Sequence, residues 1–122
     1  KMIECIVVGA GGFIGAVCRY LIGLIPVNEN LDFPVKTFAI NILGSFIIGM
    51  IAGLALKNNG LNPRAVLFLK VGICGGFTTF SSFALETGDL LKGGNTVTAL
   101  LYVSLSVVLG ILTVFGGQAV VR

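Results

Sequence analysis

Apolar positions in this chain are not spaced at intervals; they fill four long runs, at residues 3–25, 34–56, 64–91 and 96–121. Each run reaches the ~20 residues needed to cross ~30 Å of hydrocarbon. Strands of a membrane barrel would alternate over about ten residues, so unbroken runs of this length predict helices. Polar breaks fall at 26–33, 57–63 and 92–95. In the first, "IPVNENLDFP", two prolines bracket polar residues, a helix stop and restart. In the second, "KNNGLNPR", Gly60 and the Asn62–Pro63 step supply turn chemistry. The expected architecture is an all-α membrane protein of four transmembrane helices, residues 1–122 forming a single domain. The first run is read as a retained span.

Composition agrees with this pattern. Of 122 residues 56% are hydrophobic and only 11% charged, against about a quarter charged in ordinary chains. A soluble fold could not cover its surface with so few. The net charge of +3 is too sparse for a nucleic-acid surface. Lys1, Lys57, Arg64 and Arg122 fall on the side holding both ends and the second loop. Lys36 and Lys92 fall on the other, with Glu29, Asp32 and Asp89. The resulting positive-inside bias is weak, and insertion in both orientations is compatible with it.

The 18 glycines recur four apart, at Gly11 and Gly15, Gly49 and Gly53, and Gly72 and Gly76, with Gly12 and Ala16 beside them. Small residues at this spacing let helices approach closely in lipid. Four short spans enclose little interior, so an oligomer is expected. The three cysteines, Cys5, Cys18 and Cys74, lie apart in apolar runs and act as small hydrophobes. With no histidine, neither a transition-metal site nor acid–base catalysis has its usual ligands or base.

The third run carries a contradiction. "VGICGGFTTFSSFALE", residues 71–86, places adjacent glycines, four hydroxyls and three phenylalanines inside a span. Gly75 follows Pro63 by twelve residues, or ~18 Å of helix, near the bilayer midplane. Glycines followed by β-branched Thr78 and Thr79 are poor helix formers, so the helix is expected to break at Gly75–Gly76. Broken backbone at that depth persists only inside protein or against water, and such breaks recur at ion sites.

Polar residues align with the break. Thr37, Asn41 and Ser45 share one face of the second run. Tyr102, Ser106 and Thr113, with Gly110 between, share a face of the fourth, and Ser81 and Ser82 add hydroxyls after the break. Phe77, Phe80 and Phe83 recur every third residue and present ring edges, the positive part of the aromatic quadrupole. Arg19 lies two turns from the end of the first run, placed either to snorkel or to hold an electropositive mouth. Hydroxyl, amide and ring-edge hydrogens favour an anion, whereas cation filters use carbonyls or carboxylates. Spacing alone stops at a small anion.

The segments "GGFIGAVCRY", "NILGSFIIG", "GGFTTFSSF" and "YVSLSVVLG", in this order and spacing, closely resemble the Fluc family of small bacterial fluoride channels. The resemblance implies an antiparallel, dual-topology homodimer in the bacterial inner (plasma) membrane, with lipid around it, two fluoride pores and a central sodium ion. It casts Phe80 and Phe83 as fluoride contacts and Asn41 as the pore amide. Thr37, Ser81, Tyr102, Ser106 and Thr113 would line the polar track, with Arg19 at a vestibule and Glu86 near the opposite exit. Gly75 and Thr78 would offer backbone carbonyls to Na⁺. Departures from the family pattern are Gly110, where a hydroxyl would extend the track, and Ser82, commonly Thr. The implied function is passive export of fluoride, not enzymatic catalysis. Two rivals are a small proton-coupled multidrug exporter, which needs a titratable group in the membrane, and a non-transporting assembly subunit.

Overall fold

The computed structural model describes residues 1–27 and 32–122; part of the first loop, including Glu29, lies outside the described residues. The chain is helical in four apolar stretches long enough to cross a membrane: Met2–Gly23, Val35–Lys57, Pro63–Lys92 and Thr96–Val120. These bounds follow the four runs closely. The first, second and fourth stretches are the continuous helices α1 (Met2–Gly23), α2 (Val35–Lys57) and α6 (Thr96–Val120).

The third stretch is composite. It begins with α3 (Pro63–Leu67), where Asn62 caps the backbone N–H of Arg64 at 2.9 Å and Pro63 opens the first turn. A π-helical segment, Phe68–Cys74, follows and leads into a short α4 (Gly75–Phe77). Thr78 and Thr79 are extended, and α5 (Phe80–Lys92) resumes the helix with Thr79 as its cap, its hydroxyl accepting from Ser82 N–H at 3.1 Å. The interruption therefore falls at Thr78–Thr79, not at Gly75–Gly76, which are helical. β-Branching disfavours helix at the two threonines, while a different constraint selects glycine at Gly72 and Gly76, though not at Gly75, where a Cβ would meet nothing within 4 Å.

That constraint is close approach. Gly72 and Gly76 lie against Gly11, Gly12 and Gly15 of α1: a Cβ on Gly11 would stand 2.8 Å from Gly72 Cα, and one on Gly76 would stand 2.9 Å from Gly12 Cα. On the other side of the molecule Gly117 of α6 meets α2, where its Cβ would lie 2.8 Å from Met50 N. The two glycine-lined seams assemble the protein in pairs, α1 with the π segment and α4, and α2 with α6. Without an aqueous driving force between helices in lipid, such backbone-to-backbone packing supplies the association.

Few side chains are fully enclosed. Leu90, Ala99 and Tyr102 form a small core where α5 meets α6, with Phe33, Phe38 and Phe83 packed around it. Large apolar residues face outward along all four stretches, among them Phe13, Leu56, Leu100 and Phe115. A surface this apolar suits lipid or another membrane protein. The molecule is a multi-pass membrane protein.

Candidate functional site

The chain changes direction at Thr79, and one side chain meets both of its backbone groups. Asn41 Oδ1 accepts the Thr79 N–H at 2.9 Å, and Asn41 Nδ2 donates to the Thr79 carbonyl at 3.1 Å. An interrupted helix leaves backbone groups that hydrocarbon cannot satisfy, at several kcal/mol each; the amide supplies the missing partners. One of the two Asn41 amide hydrogens is thereby used, leaving one for anything else. The sequence pattern showed the amide on the correct face but not this pairing.

Neighbouring carbonyls find other partners. Cys74 O accepts both the Thr78 N–H, at 3.0 Å, and the Thr78 hydroxyl, at 2.9 Å. Gly76 O accepts from Arg19 Nε at 3.3 Å. Arg19 thus neither snorkels away nor stands free: its guanidinium meets the carbonyl end of α4, where a positive charge is favourable. Among the described residues, the turn and side-chain hydrogen bonds around the interruption leave out the Gly75 and Thr78 carbonyls. Both are neutral backbone oxygens, the ligand type that a monovalent cation would take.

A groove of about 380 Å³ opens beside the interruption, lined by Asn41, Ser45, Gly75, Thr78, Phe83 and Ser106 among others. Ser106 Oγ is buried with no hydrogen-bond partner among the described residues. Phe80 stands 78% exposed at the groove. Its ring centroid is 5.8 Å from that of Phe83, which in turn lies 5.0 Å from the fully buried Tyr102 ring. Phe77 does not join this stripe. The extended residues after it put the three phenylalanines out of helical register, and Phe77 is buried between α1 and α2 near Gly15 and Gly44.

Beyond the aromatic rings lies Glu86. Its carboxylate accepts from Thr37 Oγ1 at 2.9 Å through Oε2 and from Tyr102 OH at 3.0 Å through Oε1. Glu86 is half-buried between α2, α5 and α6, not a solvated helix end. The sequence held one signal for this: Glu86 follows Phe83 by three residues, so both share a face of α5. A cavity of about 310 Å³ is lined by Glu86 together with Arg19, Lys36, Thr37 and Ser82. Lys36 Nζ donates to Gly23 O at 2.7 Å there, tying α2 to the end of α1.

Two residues of the expected track are placed differently. Thr113 Oγ1 donates to Gly110 O in its own helix at 2.9 Å, a local bond common for hydroxyls in spans. Ser81 is exposed, with only a long 3.4 Å contact between its hydroxyl and that of Thr79. Sequence reasoning also passed over Lys70, an exposed charge on the π segment within the third stretch.

Four membrane-spanning stretches, the last three of which line a groove holding Asn41, Ser45 and Ser106, define a small polytopic membrane protein. The chain belongs to the family described as "CrcB-like protein, Camphor Resistance (CrcB)", whose profile matches residues 6–118. It is 46% identical over 121 residues to a protein of Chlorobaculum tepidum named fluoride-specific ion channel FluC, covering 99% of this chain and 96% of that one. Proteins of the same name from Azobacteroides pseudotrichonymphae and Rhizobium meliloti are 44% and 42% identical, covering 90% and 99% of this chain and 89% and 98% of theirs.

Proposed function

We propose that this protein is a passive fluoride channel, which lets the anion leave a bacterial cell across the inner membrane. The observation that carries the reading is the buried, unpartnered Ser106 hydroxyl in a groove that also holds Asn41 and the Phe80 and Phe83 rings. These are neutral donors and ring edges, which attract an anion without trapping it. The names of its relatives supply fluoride as the ion. Hydrogen fluoride enters cells as a neutral acid and ionises in a less acidic cytoplasm; a negative interior then drives the anion outward through a pore.

Within this reading the ion passes from Ser106 and Asn41 along Phe80 and Phe83 to Tyr102 and Thr37. At the last two residues the donor hydrogens are held by Glu86. An arriving anion requires that carboxylate to turn aside, so that the hydroxyls can point to the ion.

The functional unit is an antiparallel homodimer of dual topology, with two grooves closing into two pores. Support comes from the exposure of Phe80, an aromatic pore contact that a single chain leaves open, and from the weak charge bias. Paired with their counterparts near the bilayer midplane, the Gly75 and Thr78 carbonyls would hold one structural sodium ion. When bound, its charge offsets repulsion among carbonyl oxygens and raises the local potential for an anion.

Glu86 favours one alternative. It is the titratable group within a span that a proton-coupled exporter requires. Liposomes containing only this protein separate the two. The channel reading expects fluoride efflux without a proton gradient and little chloride flux. Comparable chloride flux, or efflux that vanishes without the gradient, would overturn it.

A further inference from the structure

On α6, hydroxyls at Tyr102 and Ser106 follow one face, and the next position on that face is Gly110. Further along, the single hydroxyl hydrogen of Thr113 is directed to the Gly110 carbonyl at 2.9 Å. Past Ser106, then, this face of α6 has no hydrogen to offer an anion. The deficit coincides with a residue of the opposite helix. Outside the backbone of its own helix and among the described residues, a Cβ placed on Gly110 would have one neighbouring atom within 4 Å, the Ser45 Oγ, at 3.8 Å. Ser45 stands one turn beyond Asn41 on the same face of α2 and lines the same groove as Asn41 and Ser106.

We infer that Ser45 is an ion-contacting residue of this protein, and that its hydroxyl provides from α2 the donor step that α6 lacks at Gly110. The inference rests on the anion-channel reading above. Gly110 is permissive for it: lacking a side chain, it leaves the Ser45 hydroxyl open toward the groove. The donor path therefore changes helix beyond Ser106, a local solution set by this chain's own pair of residues. An equivalent hydroxyl restored on α6 should make Ser45 dispensable.

The test is reciprocal placement, read as initial fluoride efflux from liposomes with a fluoride electrode. Ser45→Ala is expected to slow efflux about tenfold, equivalent to ~1.4 kcal/mol in the barrier. Adding Gly110→Ser to Ser45→Ala is expected to recover most of the loss, while adding Gly110→Ala is not. Rescue by the hydroxyl and not by the methyl is an outcome that packing alone would not give. If Ser45→Ala does not yield folded protein, Ser45→Cys provides a replacement of similar size with a weak donor. Wild-type rates in a folded Ser45 variant, or equal rescue by Gly110→Ala, would overturn the inference alone. A wild-type protein that carries no fluoride would overturn it together with the channel reading.

Discussion

Asn41 and Thr79, 38 residues apart in sequence, are joined by two hydrogen bonds of 2.9 and 3.1 Å, one in each direction between the side-chain amide and the backbone. Thr79 is where the third stretch leaves helical geometry, so this pair both permits the interruption and holds it beside the groove. In the proposed channel, structural support and ion contact would meet in this single residue.

Asn41→Asp tests that double role. A carboxylate still accepts the Thr79 N–H but no longer donates to the Thr79 carbonyl, and it sets a potential negative charge beside the anion path. Loss of fluoride flux is expected, together with about 1–3 kcal/mol of lost stability from the orphaned carbonyl. Flux in liposomes and thermal stability in detergent measure the two effects. A stable, conducting Asn41→Asp protein would remove Asn41 from both roles.

Phe80 and Phe83 should separate under the same substitution. Phe80 is 78% exposed in the single chain and touches Phe83, so Phe80→Ile is expected to leave the fold of the subunit nearly unchanged while reducing flux strongly. Phe83 packs on Tyr102 as well, and Phe83→Ile forfeits aromatic contacts worth about 0.5–1.5 kcal/mol each. It should therefore lose both flux and stability. Wild-type conduction by both variants would make the rings mere packing.

Glu86→Gln distinguishes a carboxylate that accepts hydrogen bonds from one that carries protons. Glutamine keeps one acceptor for the Thr37 or Tyr102 hydroxyl and donates to the other, so the α2–α5–α6 junction should survive. The channel reading expects reduced but measurable efflux that does not depend on a proton gradient. Complete loss of transport from a folded Glu86→Gln protein would favour proton coupling.

Dual topology is checked at Gly60, in the exposed turn between α2 and α3. In a background with the exposed Cys5 and Cys18 replaced, Gly60→Cys should react with an impermeant thiol reagent from both faces of the membrane. Labelling from one face only, with function retained, would refute antiparallel pairing.

The four membrane-spanning stretches were legible from the sequence because crossing hydrocarbon is a requirement on each stretch by itself. A run of apolar residues satisfies it wherever the other runs lie. Glycine spacing likewise announced close helix approach, and Gly11, Gly72 and Gly76 meet backbone to backbone as that spacing implies. The stripes on α2 and α6 were visible too, since helical periodicity fixes which residues share a face.

What the stripes do was decided only in three dimensions. Local propensity placed the interruption at Gly75–Gly76, but close packing on α1 selects glycine at Gly76, and the helix gives way at Thr78–Thr79, where Asn41 takes the freed groups. Thr113 bonds its own helix while Ser106 on the same face finds no partner among the described residues, a difference that periodicity cannot express. Glu86 resembles a solvated helix end until α2 and α6 bring Thr37 and Tyr102 to its two oxygens. A hydrogen bond is directional and lost over an ångström, so the residue that completes it belongs to the packing of distant helices and not to either segment alone.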